Sequence, residues 1–326
     1  MQIHPFWRNY PQLQDQLTDV LHTIDSQVLI KDRKIRNIVK DLLHSGGKML
    51  RPAYALLCSY IGSEYDRDRA VSIAASMECL HMATLVHDDV IDEAETRRGI
   101  ETVHVKKGNK FAIYTGDYLF CLSFTILSRH AKFLTESNFE RKGIEKILTG
   151  ELEQLNSRYA EPVSVKDYLS RISGKTARLF AISCYSGACG SRAKPKYAKI
   201  AWNTGHYVGM AFQIIDDILD YKSDDRILGK PAMNDVKQGI YTLPFIYAYR
   251  EQPEKFKPYI AKKNALSDED LEMISRLIKK YRGIEKAKAL AGKYTEKALS
   301  SIEKLPDGEY KNILTEITCS LLERKM

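Results

Sequence analysis

Between Pro52 and Pro162 the chain runs for 109 residues without a proline. The glycines inside that stretch, Gly62, Gly99, Gly116 and Gly150 among them, stand far apart, so little would stop a helix once begun. From Ser63 to Arg98 there is neither Gly nor Pro. Asp66 or Asp68 is placed there to cap a helix carrying Ala70, Ile73, Ala74, Met77, Leu80, Ala83, Thr84, Val86 and Ile91. Apolar residues cover most of its circumference, the mark of a central helix. Residues 210–228, with Phe212, Ile214, Ile215, Ile218 and Leu219, repeat the pattern at a length that favours a helix over a buried strand. Beyond Asn264, Ser267-Asp268-Glu269-Asp270 reads as a helix start, and the rest predicts a pair of amphipathic outer helices. No internal repeat or linker interrupts the chain. The expectation is an all-α protein, one helical domain over residues 1–326.

Composition narrows the function classes. With 44% hydrophobic and 28% charged residues the chain reads as globular, and intrinsic disorder is excluded. No stretch reads as the ~18 apolar residues of a membrane helix. The first 21 residues carry Pro5, Pro11 and Asp15 and do not read as a signal peptide. Six scattered cysteines fit neither a zinc spacing nor a small disulfide framework, so buried reduced thiols in a cytoplasmic protein are expected. The net charge of +8 is spread without a long basic run. It implies no nucleic acid partner, and leaves an anionic substrate or a transient membrane contact.

Two acidic clusters carry the chemistry. Leu85-Val86-His87-Asp88-Asp89-Val90-Ile91-Asp92 and Ile214-Ile215-Asp216-Asp217-Ile218-Leu219-Asp220 each place aspartates at i, i+1 and i+4. On a helix i and i+4 share a side, where like charges repel, and the cost grows among apolar neighbours. An exposed acidic turn would explain one such cluster alone. Two copies 128 positions apart, both set in Ile, Leu and Val, ask for a counter-ion. Mg2+ suits them, because it keeps several waters while sharing one or two carboxylates with substrate phosphates.

Cationic groups come in compact sets. In Gly46-Gly47-Lys48-Met49-Leu50-Arg51-Pro52, Lys48 and Arg51 follow two glycines that let backbone approach a phosphate. Arg97-Arg98-Gly99 follows the first acidic cluster, and His81 stands about two turns before Asp88 on the same helical face.

With Gly116-Asp117, Lys175-Thr176, Phe212-Gln213 and Gly229-Lys230-Pro231 added, the ordered set resembles the trans-type polyprenyl diphosphate synthases over nearly the whole chain. More narrowly it is similar to the catalytic large component of two-component hexaprenyl and heptaprenyl diphosphate synthases. The resemblance implies the class I isoprenoid synthase fold, a helical bundle around a central cavity, and Mg2+, three ions per active site. Asp88, Asp89, Asp92, Asp216, Asp217 and Asp220 would be the metal ligands. Arg97, Lys175 and Lys230 would meet an allylic diphosphate, farnesyl diphosphate, while Lys48, Arg51, His81 and Arg98 would hold isopentenyl diphosphate. Thr176 and Gln213 would face the allylic cation with oxygen dipoles. The implied partner is a small regulatory subunit in a heterodimer, or else a second copy, and the implied role is in menaquinone side chains. One departure stands out: many relatives carry a lysine before Thr242-Leu243-Pro244, where this chain has Gly239-Ile240-Tyr241.

The growing tail is expected to run from the first cluster toward the N-terminal end of its helix, past Ala83 and Thr84, then Leu80 and Met77. Ala83 and Thr84 are small, which disfavours C15 products, and a lower floor is expected at Met77, Leu80 or near Phe124; the length of about C30 to C35 is what the resemblance implies. Two rivals are weighed. A class I terpene cyclase would need no Lys48, Arg51 and His81 set, and a non-catalytic partner subunit could have lost its aspartates.

Overall fold

Local capping builds the helices in the order the sequence suggests. In a computed structural model of the chain, residues 3–130, 164–221 and 233–322 are described; Lys230, an expected substrate contact, lies outside them. Helix α1 (Pro11–Gln27) starts on a proline. Helix α2 (Arg33–Leu43) starts at Asp32, whose carboxylate accepts from the Lys34 and Ile35 amides at 2.8 and 3.1 Å. Helix α3 (Leu50–Cys58) follows Met49, which is left-handed at φ 47°. Asp66 caps α4 (Arg67–Ile91), accepting from the Arg69 amide at 2.9 Å. The long helix stops at Ile91 because the next residues turn back. Strands β1 (Thr96–Arg97) and β2 (Ile100–Glu101) pair antiparallel around Arg98 and Gly99, both at positive φ (54° and 77°), the signature of a type I′ turn. This hairpin is the strand structure among the described residues, and the all-α expectation holds around it. Helices α5 (Val103–Lys107) and α6 (Asn109–Ser128) follow.

Beyond residue 163 come α7 (Val165–Ile172), opened by a Ser164/Asp167 capping box, and a π-helical turn at Ser173–Ala177. Then follow α8 (Arg178–Gly190), α9 (Pro195–Asp220), α10 (Asn234–Lys237), α11 (Leu243–Glu251), α12 (Pro253–Ile260), α13 (Asp268–Lys280), α14 (Gly283–Glu303) and α15 (Glu309–Leu322). Ser267 caps α13 in a capping box with Asp270, as its sequence announces. The expected C-terminal pair is in fact three helices. Arg282, left-handed at φ 56°, breaks the first from the second.

The described residues gather into two compact units, one from 3–130, 182–202 and 305–313, the other from 164–181, 203–221, 233–304 and 314–322. In the first, α4 packs against α1, α3 and α6. Leu17, Ile24, Leu56, Ile73, Met77, Leu80 and Ile126 are buried there, and Trp7 donates from Nε1 to the Lys48 carbonyl at 2.7 Å. In the second, α11 packs against α13 and α14, and Phe245 stacks on Tyr241 (4.5 Å) and meets Phe256 edge-on (5.0 Å).

Two sequence expectations need correction. The cysteines are not all buried: Cys58, Cys79 and Cys184 are, but Cys121 is exposed and Cys189 and Cys319 are half-buried. Helices α4 and α6 each contain an 18-residue window apolar enough, by length and composition, to cross a membrane. In α4 78% of that window is buried inside the protein, which is what a core helix requires; in α6 only 44% is. The uncovered part of α6 carries Ile113, Tyr114 and Phe124, exposed by 44, 74 and 52%.

Candidate active site

In the first unit a loop, a helix and a hairpin bring cationic side chains together. Residues Gly46 and Gly47 hold φ of +85° and +137°, conformations that side chains rarely adopt. Gly47 has a second reason to lack a side chain: a Cβ there would stand 2.4 Å from Nη1 of Arg98. The guanidinium of the type I′ turn therefore lies directly against the glycine loop, 51 positions away in sequence. Lys48, two steps from the turn of α3, has its ammonium 5.1 Å over the ring of Phe6. Arg51, in the first turn of α3, donates from Nη1 to Nε2 of His81 on α4 at 3.0 Å. Burial first, and then the charge of Arg51, holds the His81 ring well below its ordinary pKa, which keeps the imidazole neutral and able to accept. Of the expected set, Arg51 pairs with His81, and Arg98 lies against Gly47, the residue before Lys48.

Glu78, one turn before His81, is a residue the sequence reading passed over. It is buried, one carboxylate oxygen has no hydrogen-bond partner, and burial pushes its carboxyl up while Arg51 and Arg98 pull it down. A signal existed: it is the one acidic residue of α4 between Asp68 and Asp88.

Both acidic clusters occupy the last turn of their helices, Asp88 and Asp89 at the end of α4 with Asp92 as its C-cap, Asp216, Asp217 and Asp220 at the end of α9. The negative pole of each helix there adds to the carboxylates' own charge, which deepens the need for a cation. The three aspartates of a cluster do not play alike. Asp88 and Asp92 are half-buried, whereas Asp89 turns inward and accepts from Nε and Nη2 of Arg97, both at 2.6 Å. Burial raises the Asp89 carboxyl, and Arg97 is what opposes the rise. A cavity of about 150 Å3 lies beside this pair, walled by Ile38, Leu42, Met82 and Val86.

In the second unit Asp216 is exposed and Asp220 half-buried, but Asp217 is only 5% exposed. Its two oxygens accept from the Tyr168 hydroxyl (2.6 Å) and from Nε2 of Gln213 (2.7 Å). Thr176, in the π turn beside half-buried Lys175, donates to Oε1 of Gln213 at 2.6 Å. Burial pushes the Asp217 carboxyl up to about 8, with Asp235 and Asp216 adding to the rise and the two donors resisting it. Tyr168, 49 positions from Asp217, carried no signal in the sequence.

These donors are hard carboxylate oxygens, the chemistry Mg2+ prefers. Among the described residues no three His, Cys, Asp or Glu side chains gather closely enough to hold an ion unaided. An ion here would complete its shell with water and phosphate oxygens. Asp216 is exposed and Asp88, Asp92 and Asp220 are half-buried, with one oxygen of Asp220 enclosed.

The expected product-length residues lie along α4, which packs against α6. Met77, Leu80 and Ala83 are fully buried, and Thr84 donates to the His81 carbonyl at 2.7 Å. Ser76 bonds Ser123 at 2.8 Å, and a Cβ at Gly116 would meet His87, so α4 and α6 run antiparallel with Leu119 and Phe120 opposite Leu80 and Ala83. Phe124 points largely to solvent. Ahead of Thr242, Tyr241 is buried and accepts on its carbonyl from Arg171 at 3.1 Å.

Comparison with known proteins gives this arrangement its context. The family model for polyprenyl synthetases matches residues 32–278. The heptaprenyl diphosphate synthase component 2 of Geobacillus stearothermophilus is 38% identical over 318 residues, 97% of this chain and 98% of its own. The crystal structure of geranylgeranyl pyrophosphate synthase from Lactobacillus brevis ATCC 367 covers 98% of this chain and 99% of its own, at 36% identity and a TM-score of 0.91. A polyprenyl synthase from Caulobacter crescentus CB15, solved with calcium and isoprenyl diphosphate, is 26% identical over 97% of each chain with a TM-score of 0.85. The chain belongs to the polyprenyl synthetase family and is a prenyltransferase of the class I isoprenoid synthase fold.

Proposed function

We propose that the chain adds isopentenyl diphosphate units, head to tail and in trans, to farnesyl diphosphate, and stops at about C30 to C35. The observation that carries this reading is the preformed set of Arg51 on His81 and Arg98 on Gly47, beside Lys48. It is a second anion site, one that condensation needs and cyclisation of a single diphosphate does not. Asp88, Asp92, Asp216 and Asp220 would hold Mg2+, which when bound neutralises the departing diphosphate. Arg97 adds a fixed positive charge next to that leaving group, held in place by Asp89. Lys48, Arg51, His81 and Arg98 present the isopentenyl double bond to the allylic carbon as the carbon–oxygen bond ionises. Thr176 and Gln213 offer oxygen dipoles to the cation, and the departing diphosphate takes the proton that leaves after the new carbon–carbon bond forms.

A medium-chain product is supported by small Ala83 and Thr84 and by the likeness to a heptaprenyl synthase component. That same likeness, with the uncovered apolar face of α6, supports a two-component enzyme with a small regulatory subunit; the setting we propose is the cytoplasm and the role the supply of menaquinone side chains. The test incubates the purified chain, alone and with a co-expressed small component, with labelled isopentenyl diphosphate, farnesyl diphosphate and Mg2+. The expected result is label in a C30 or C35 diphosphate. Consumption of farnesyl diphosphate without label in any product would favour a cyclase and overturn the reading. Label in product from another chain present, with this one dispensable, would make it a non-catalytic partner.

A further inference from the structure

Three aspartates sit in the last turn of α9, yet one of them is buried where the other two are not. On a helix neighbours differ by about 100°, so Asp217 points away from the side of Asp216 and lines up with Gln213, one turn earlier. Both its oxygens are occupied by donors, Tyr168 at 2.6 Å and Gln213 at 2.7 Å. The Gln213 amide turns its nitrogen to Asp217 and its oxygen to Thr176. The Thr176 hydroxyl has its proton committed to that oxygen at 2.6 Å, and is left with lone pairs alone for whatever lies in front of it.

Two features of the backbone hold the relay together. The π turn at Ser173–Ala177 re-aims Thr176 within the run from α7 to α8. Gly209, one turn before Gln213, lets α9 approach so closely that a Cβ there would stand 2.5 Å from the Cα of Ala177.

We propose that Tyr168 and Asp217 are positioning residues: together they fix the Gln213 amide, and through it the direction of the Thr176 hydroxyl, so that oxygen lone pairs face the allylic cation before substrate arrives. Asp217 serves this relay instead of holding a metal. The inference rests on the proposed prenyl transfer.

Its test is a kinetic comparison of Tyr168→Phe, Asp217→Asn, Thr176→Ser and Thr176→Val with wild type and with Asp216→Asn. Expected is a kcat about tenfold lower for Tyr168→Phe and Thr176→Val, and lower still for Asp217→Asn, while the KM for isopentenyl diphosphate and the Mg2+ concentration for half-maximal rate stay within about twofold. Thr176→Ser, which keeps the hydroxyl, should retain near wild-type kcat. Asp216→Asn should instead raise the Mg2+ requirement about tenfold or more. Should Asp217→Asn fail to fold, Tyr168→Phe and the threonine pair carry the test. A Mg2+ requirement that rises in Asp217→Asn as it does in Asp216→Asn would overturn the inference. So would a Tyr168→Phe enzyme with lower melting temperature and unchanged kcat. A wild-type chain that incorporates no isopentenyl diphosphate under any condition would refute the proposed function instead.

Discussion

Replacing Gly47 by alanine isolates the contact that joins the glycine loop to the hairpin. The new methyl would lie 2.4 Å from Nη1 of Arg98 and 2.7 Å from its Cζ and Nη2. Ordinary contact between such atoms begins near 3.4 Å, so the guanidinium must retreat by about 1 Å. A charge-assisted hydrogen bond of about 2.8 Å to a diphosphate oxygen would then open beyond bonding distance, forfeiting about 1.5–3 kcal/mol. At about 1.4 kcal/mol per factor of ten, capture of isopentenyl diphosphate weakens about 10- to 150-fold. Initial rates at saturating allylic diphosphate should show this in the KM for isopentenyl diphosphate, with kcat within about threefold and the allylic KM unmoved. Gly46→Ala is the control, since it forces a side chain onto a positive φ of 85° but its Cβ would meet nothing within 4 Å. It should lower the melting temperature without moving the KM. In an Arg98→Ala background Gly47→Ala should cost no further affinity. A KM within twofold of wild type, or the same increase in that background, would refute the reasoning.

Further outcomes follow from other contacts. Ala83→Tyr places a ring between α4 and α6 opposite Leu119 and Phe120, and should shorten the product by at least one isoprene unit in mass spectra of the extracted lipid; an unchanged product would refute the channel direction. His81 is half-buried and held neutral by a lowered pKa, so the unfolded chain takes up its proton first as pH falls below about 6.5, and stability is present above that pH and lost below it. Urea unfolding of wild type should therefore weaken more steeply between pH 7 and 5.5 than that of His81→Gln, by up to about 1.4 kcal/mol per pH unit; parallel curves would contradict a neutral ring.

What the sequence disclosed was what short-range chemistry decides. Asp66 and Ser267 are helix caps because each is a short acceptor placed before an apolar-periodic run, a relation visible within four residues. The central helix was legible from the absence of Gly and Pro, but not its end at Ile91: Arg98-Gly99 must form the hairpin turn, and this takes the preceding residues out of the helix. The break at Arg282 carried no glycine or proline immediately before it to announce that one helix becomes two. In the site, Lys48, Arg51, His81 and Arg98 were named as a group through family resemblance, and their pairing came from the fold, since Gly47 and Arg98 are far apart in sequence. The i, i+1, i+4 pattern treats three aspartates alike, and it is the packing of Tyr168 that gives Asp217 its separate role.

The claim on which the proposed chemistry depends is that the two acidic clusters serve one diphosphate. Anomalous scattering from manganese, in crystals grown with an unreactive allylic thiolodiphosphate, would locate the ions directly. The expected result is metal bound jointly by the diphosphate and by Asp88 and Asp92 on one side, Asp216 and Asp220 on the other. Ions found at only one cluster, or the two clusters binding metal with no diphosphate between them, would contradict it.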